Sequence, residues 1–398
     1  MKYIVILGDG MADEPLEQLD GKTPLEYANI PVMDELAGKG EMGLAKTVPD
    51  SMKPGSDVAN LAVLGYDPTC NYSGRSPLEA LSVGVDMAED DVVFRCNVVT
   101  LTEDGTYGEK TIVDHSSGEI STEDADVLMD TLRTHLTTDE FKFYTGTSYR
   151  HIMVWKGGSV LDLEQPHDHL GEKIGPYLPK EAVFRDMMAK SFDLLNDHPL
   201  NVKRAAEGKN KANSAWFWGA GTKPSLANFQ EKTGKRGAMI SAVDLLKGIA
   251  TGAGMGVIEV PGANGGLHTN YEGKAQAAVK AVLSDGYDFV YVHVEAPDEM
   301  GHQGSVENKV KAIENLDSRV VSPIKQAMDA SGEDYRLLIL PDHPTPIRCR
   351  THTADPVPYI LYDHTQQRKA LAQYSEKAAA ATGNYEPFGY QLIEKLFA

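Results

Sequence analysis

Six short runs of Val, Ile, Leu and aromatic residues, separated by helical patterns, constrain the fold of this chain more than any other feature. They occupy residues 3–7, 238–240, 256–260, 289–294, 337–340 and 359–362. Short and predominantly apolar, each is expected to be buried on both faces, as strands of a parallel sheet are. Between them, residues 242–250, 273–283 and 306–328 repeat at helical spacing; in the last, Val310, Ile313, Leu316, Val320 and Ile324 share one face. Strand and helix in alternation predict an α/β fold, a mostly parallel sheet sandwiched by helices with right-handed crossovers.

The middle of the chain, residues 71–232, has a different texture. Strand-like runs at 92–101, 141–144 and 151–155 are mixed with turn-rich segments and two amphipathic helices. This predicts a smaller inserted α+β domain that caps the active edge of a discontinuous domain built from residues 1–70 and 233–398. A chain of 398 residues, 41% hydrophobic, can bury a core in each. Residues 377–381 are a plain alanine-rich helix.

A formal charge of −20 sets the chain against nucleic acid, whose phosphates it would repel, and a small anionic substrate then needs a local basic pocket or metal ions. Three scattered cysteines form no disulfide framework. The opening apolar run is too short for a signal segment, and no stretch approaches a membrane span. The expectation is a cytoplasmic protein with no membrane partner; the sequence does not fix an oligomeric state.

In open α/β sheets, ligands collect beyond the carboxyl ends of strands. Asp9, Asp298 and Asp342 each follow an apolar run there, Asp298 with His302 four residues on and Asp342 with His343 beside it. His352 lies in a polar loop between two strands and can reach the same edge. A single such Asp is ordinarily a helix cap and a single His a surface group. Three acids, two with histidines, point instead to metal ions, and mixed carboxylate and imidazole donors suit manganese or zinc better than magnesium.

Ser56, in the turn Lys53-Pro54-Gly55-Ser56-Asp57 before an apolar helix, is the candidate nucleophile. A helix N-terminus offers free backbone N–H groups and a favourable dipole to an alkoxide or a phosphate. Arg150 and Arg204 within the middle segment, and Lys235 and Arg236 just after it, are candidates to grip phosphate and carboxylate. His151 and Asp168 are candidates to relay protons or orient the substrate. Trp216 and Trp218 read as core.

Two nucleotide motifs fail. Gly21-Lys22-Thr23 hints at a P-loop, but Leu16 stands where its first glycine belongs, and the glycines at 252–256 follow a helix at the wrong spacing for a dinucleotide fingerprint.

Gly8-Asp9-Gly10, Pro54-Gly55-Ser56-Asp57, Ala296-Pro297-Asp298-Glu299-Met300-Gly301-His302, Asp342-His343 and Thr351-His352-Thr353 together resemble the archaeal-type cofactor-independent phosphoglycerate mutases of the alkaline phosphatase superfamily. The likeness extends through Tyr149-Arg150-His151, Pro166-His167-Asp168 and residues 212–219. It implies an isomerase of glycolysis and gluconeogenesis that interconverts 3-phosphoglycerate and 2-phosphoglycerate through phosphorylated Ser56, with no need for 2,3-bisphosphoglycerate. It also implies two divalent metals, manganese first and zinc, cobalt or magnesium as alternatives. Asp9, Ser56, Asp342 and His343 would hold one, and Asp298, His302 and His352 the other. Where longer bacterial-type mutases continue from the serine with Glu-Val-Gly-His, this chain has Asp57-Val58-Ala59-Asn60, and Asn60 is expected to touch the phosphoryl group. The alternatives are a metal-dependent phosphomonoesterase or another sugar-phosphate mutase of the same superfamily.

Overall fold

The computed structural model describes residues 1–366, 368 and 372–398. They form two compact units, Met1–Tyr72 with Ser225–Ala398, and Ser73–Pro224. The chain returns to the first unit at Ser225, earlier than the expected residue 233. The reason is Phe229, which is fully buried with its ring 4.9 Å from that of Phe289 in the sheet of the first unit.

In chain order the strands of the first unit begin with β1 (Lys2–Gly8) and β2 (Glu41–Ala45). The second unit contributes β3 (Val92–Leu101), β4 (Ile112–Asp114), β5 (Phe141–Thr147), β6 (Arg150–Trp155) and β7 (Ser214–Thr222). The first unit resumes with β8 (Gly237–Ile240), β9 (Gly256–Val257), β10 (Phe289–Val294), β11 (Tyr335–Leu340), β12 (Val357–Asp363) and β13 (Tyr385–Glu386).

The large sheet has the order β13-β2-β12-β11-β1-β10-β8-β9. From β11 to β9 every pairing is parallel, while β12 runs antiparallel to both β11 and β2. The apolar runs at 3–7, 238–240, 289–294 and 337–340 form the parallel centre, where β10 and, after Lys2, β1 are completely buried; the run at 359–362, expected to be parallel as well, lies in β12 and is antiparallel because it pairs in the opposite sense with both β11 and β2. The run expected at 256–260 is a strand only over Gly256–Val257. The helix expected at 306–328 is broken: α-helix Val306–Leu316 passes through a π-helical turn, Asp317–Val321, into α-helix Ser322–Ser331.

The second unit is an antiparallel sheet, β4-β3-β6-β5 with β7 paired to β3, carrying helices Thr122–Leu136 and Ala182–Leu195. Its core is separate and aromatic, with Phe94, Phe184, Trp216 and Phe217 buried together. Among the described residues, no helix is long and apolar enough to cross a membrane.

Candidate metal and nucleophile site

At the carboxyl end of the parallel strands the first unit gathers every candidate metal ligand. Asp9 follows β1, and its N–H donates to the Val294 carbonyl at 3.0 Å, which ties the exits of β1 and β10 together. Asp298 lies on the short helix Ala296–His302 after β10, and Asp342 and His343 leave β11. Ser56 is the first residue of helix Ser56–Val63, whose Val58, Leu61 and Ala62 are buried.

The side chains converge. Ser56 Oγ is 3.1 Å from His343 Nε2. The same Nε2 lies 3.3 Å from Asp342 Oδ2 and 3.6 Å from Asp9 Oδ1. On the other side, Asp298 has His302 Nε2 at 3.1 Å and His352 Nε2 at 3.4 Å, with those two nitrogens 3.0 Å apart. His302 donates Nδ1–H to the Arg350 carbonyl at 2.9 Å, which leaves Nε2 as its ligand atom. Donor atoms of Asp9, Asp342 and His343 fit around one ion, and so do those of Asp298, His343 and His352.

Gly10 makes this approach feasible. Its φ of +59° suits glycine, and its N–H donates to Asp342 Oδ1 at 3.1 Å. A Cβ there would meet Asp298 Oδ1 at 2.5 Å and the Asp298 Cα at 2.8 Å.

Charge at the site is unbalanced. Asp9, Asp298 and Asp342 are all buried, and among the described residues their ion-pair partners are histidines only. Burial pushes the Asp9 carboxyl well above its usual range, aided by the charges of Asp342, Asp298 and Glu295. Burial opposes ionisation of Asp298 as well, but hydrogen bonds from His302 and His352 outweigh it and hold that carboxyl well below its usual range. His302 is pushed up to about 9, chiefly by its hydrogen bond with Asp298. Asp9 Oδ1 is buried with no hydrogen-bond partner. An orphaned carboxylate oxygen among buried acids and imidazoles is what a divalent cation would satisfy, so the donor set fits metal ions.

The structure corrects several sequence expectations. Asn60 is fully buried with its amide committed to protein partners, so it is not free for a phosphoryl group. Lys235 and Arg236 precede β8 and lie at the amino end of the sheet, opposite the ligands. There Lys235 Nζ sits 5.4 Å from the Tyr3 ring and the Arg236 guanidinium 4.3 Å from the Tyr287 ring. Arg204 is buried in the second unit, its guanidinium bonded to Asp124 Oδ2 and to the Ser117 and Asn210 carbonyls. It supports that unit's fold rather than gripping an anion. His151 is buried too, accepting from the Gly146 N–H at Nδ1, and burial lowers it to about 3, so it stays neutral and out of reach of a substrate.

Arg150 and Asp168 are exposed in the second unit. The Arg150 guanidinium is 5.3 Å from the Tyr149 ring, Tyr149 meets His115 edge-on, and His115 meets His167, the neighbour of Asp168. His167 in turn packs on Trp218, over which lies the Arg95 guanidinium. Trp216 and Trp218 are both buried in the core of this unit, as expected.

Sequence reasoning missed the residues beneath the ligands. His293 donates Nε2–H to Asp9 Oδ2, 2.8 Å away, and its Nδ1 accepts from the Ser241 hydroxyl at 3.1 Å. Thr345 donates to Asp298 Oδ1 and lies 3.3 Å from His343 Nδ1. The available signal was in β10, Phe-Val-Tyr-Val-His-Val, where a tyrosine and a histidine stand in a doubly buried strand.

A sequence profile described as 2,3-bisphosphoglycerate-independent phosphoglycerate mutase matches residues 37–201. A protein of that name from Methanosarcina acetivorans is 53% identical over 389 residues, covering 96% of both chains. A Geobacter sulfurreducens protein, named as a probable enzyme of the same kind, is 49% identical over 100% of this chain and 99% of its own. Among solved structures, a Pyrococcus horikoshii protein superposes with a TM-score of 0.82 at 30% identity, covering 99% of this chain and 96% of that one. The cofactor-independent phosphoglycerate mutase of Thermoplasma acidophilum gives 0.66 at 27% identity, covering 100% and 99%.

Proposed function

Because this chain belongs to the family of 2,3-bisphosphoglycerate-independent phosphoglycerate mutases, we propose that Ser56 carries the phosphate between the two hydroxyl groups of glycerate. The activity is that of an isomerase that uses no bisphosphoglycerate. The observation that carries the proposal is the Ser56 hydroxyl, 3.1 Å from His343 Nε2 at the first turn of a helix and beside a buried cluster of acids and imidazoles.

Asp9, Ser56, Asp342 and His343 would hold one divalent cation, and Asp298, His302 and His352 a second. Manganese suits this mixture of oxygen and nitrogen donors, with zinc, cobalt and magnesium as alternatives. When bound, such cations neutralise phosphoryl oxygens and lower the pKa of a nearby hydroxyl.

Ser56 Oγ then forms its bond to phosphorus as the ester bond of 3-phosphoglycerate breaks, and the serine proton passes to the freed glycerate oxygen. In the second half the other glycerate hydroxyl takes the phosphoryl group and returns a proton to Ser56. Backbone N–H groups at the start of the Ser56 helix favour the negative charge in both directions. Arg150 and Asp168, both exposed in the second unit, are the residues we put forward there for the substrate, the guanidinium for its phosphate or carboxylate and the acid for proton relay or orientation.

The test supplies Mn²⁺ and 3-phosphoglycerate and follows 2-phosphoglycerate and free phosphate together. Isomer without phosphate is expected; phosphate without isomer would make the chain an esterase. Ser56→Ala should lower turnover by about a thousandfold or more while the protein still binds Mn²⁺ through its remaining ligands. Wild-type turnover in that variant would rule out phosphoserine.

A further inference from the structure

Asn60 and Tyr291 form a hydrogen-bonded chain beneath the nucleophile that no step of the phosphoryl transfer above uses. Asn60 Nδ2 donates to the Ser56 carbonyl and to Asp342 Oδ2, each at 2.8 Å. Asn60 Oδ1 accepts from the Tyr291 hydroxyl at 2.5 Å. A carbonyl and a carboxylate accept only, so the amide has one chemically sensible orientation and the phenol must be the donor. Both side chains are wholly buried, and Tyr291 is anchored in β10 between β1 and β8.

We propose that Tyr291 and Asn60 are positioning residues that present Ser56 and Asp342 to one cation as a single preset unit. The inference rests on the reading that these two side chains share a metal. Asp342 Oδ1 is fixed by two backbone donors, the N–H groups of Gly10 at 3.1 Å and His343 at 2.9 Å. Oδ2 receives its hydrogen bond from Asn60, so the amide sets the remaining rotation of the carboxylate. The same amide holds the first turn of the Ser56 helix through the Ser56 carbonyl. Without the phenol, Asn60 Oδ1 loses its donor and the amide is no longer held against turning over. A turned amide would set its oxygen against a carboxylate and a carbonyl, loosening both Asp342 and the helix start. Outer partners of metal ligands typically change affinity or activity by about 10- to 100-fold when removed.

The experiment titrates Mn²⁺ into full-length wild type, Tyr291→Phe and Asn60→Ala, reading free Mn²⁺ by electron paramagnetic resonance, with melting temperature and steady-state kinetics alongside. One class of Mn²⁺ site should weaken by about 10-fold or more in both variants, and kcat should fall while KM holds nearly constant. A lower melting temperature with every Mn²⁺ affinity unchanged would assign the pair to ordinary core packing and overturn the inference. Should Asn60→Ala fail to fold, Tyr291→Phe, which removes one oxygen, decides the matter. A wild type that binds no Mn²⁺ would remove the metal reading itself, whereas tight wild-type binding with unaffected variants would remove only the positioning role.

Discussion

Gly10 shows how narrow the tolerance of the site is for a single atom. Its N–H holds one carboxylate, and its missing side chain leaves room for another. Gly10→Ala should destabilise the protein by roughly 1–3 kcal/mol through its positive φ and the crowding of Asp298. It should also weaken Mn²⁺ binding; urea denaturation and metal titration check the two effects separately. At this scale the sequence was informative wherever chemistry depends on position along a strand: an acid within a few residues of the end of an apolar run emerges at the sheet's edge, so the places of Asp9, Asp298 and Asp342 were readable. It was uninformative for long cationic side chains. Nothing in the residue type distinguishes Arg204, locked onto Asp124, from Arg150, which is exposed, because partners contributed by distant segments decide where a guanidinium points.

Asp317 connects three elements. It stands where helix Val306–Leu316 gives way to the π-helical turn, and its carboxylate accepts from the Met33 N–H at 2.7 Å and the Val32 N–H at 3.3 Å, at the start of helix Pro31–Lys39. Burial raises its pKa to about 6. The folded state therefore retains this proton at pH values where the unfolded chain has released it. The resulting stabilisation is complete below the ordinary carboxylate pKa and is lost as pH rises through about 6. The stability advantage of wild type over Asp317→Asn should accordingly shrink between about pH 4 and about pH 6 and then level off, as read from urea midpoints. A difference independent of pH would show that the carboxyl is not raised. The apolar face of residues 306–328 foretold helix throughout, but a π turn keeps roughly the same face buried and so leaves no mark on that pattern. The short strands β2 and β13, at one side of the sheet, were equally unreadable, since pairing with β12 rather than its own composition makes β2 a strand, and β13 pairs in turn with β2.

At the scale of the whole chain, two separate cores divide the work of stability. Phe184→Ala, deep in the second unit, should cost about 3–5 kcal/mol there while leaving Mn²⁺ affinity unchanged, which calorimetry with and without metal would reveal. The change in texture around residues 71 and 232 made the division visible, yet the return point depends on where one aromatic ring, Phe229, is buried, and a local pattern does not carry that. The place of β1 in the sheet also has a cost during biosynthesis. This strand is made before both of its neighbours, since β10 begins at Phe289 and β11 only at Tyr335. Until then an apolar strand with both edges open must wait in the nascent chain, exposed to wrong partners. Nascent chains halted before residue 289 should therefore bind chaperones or aggregate, and refolding from denaturant should be slow, limited by closing these distant parallel pairs rather than by any local step.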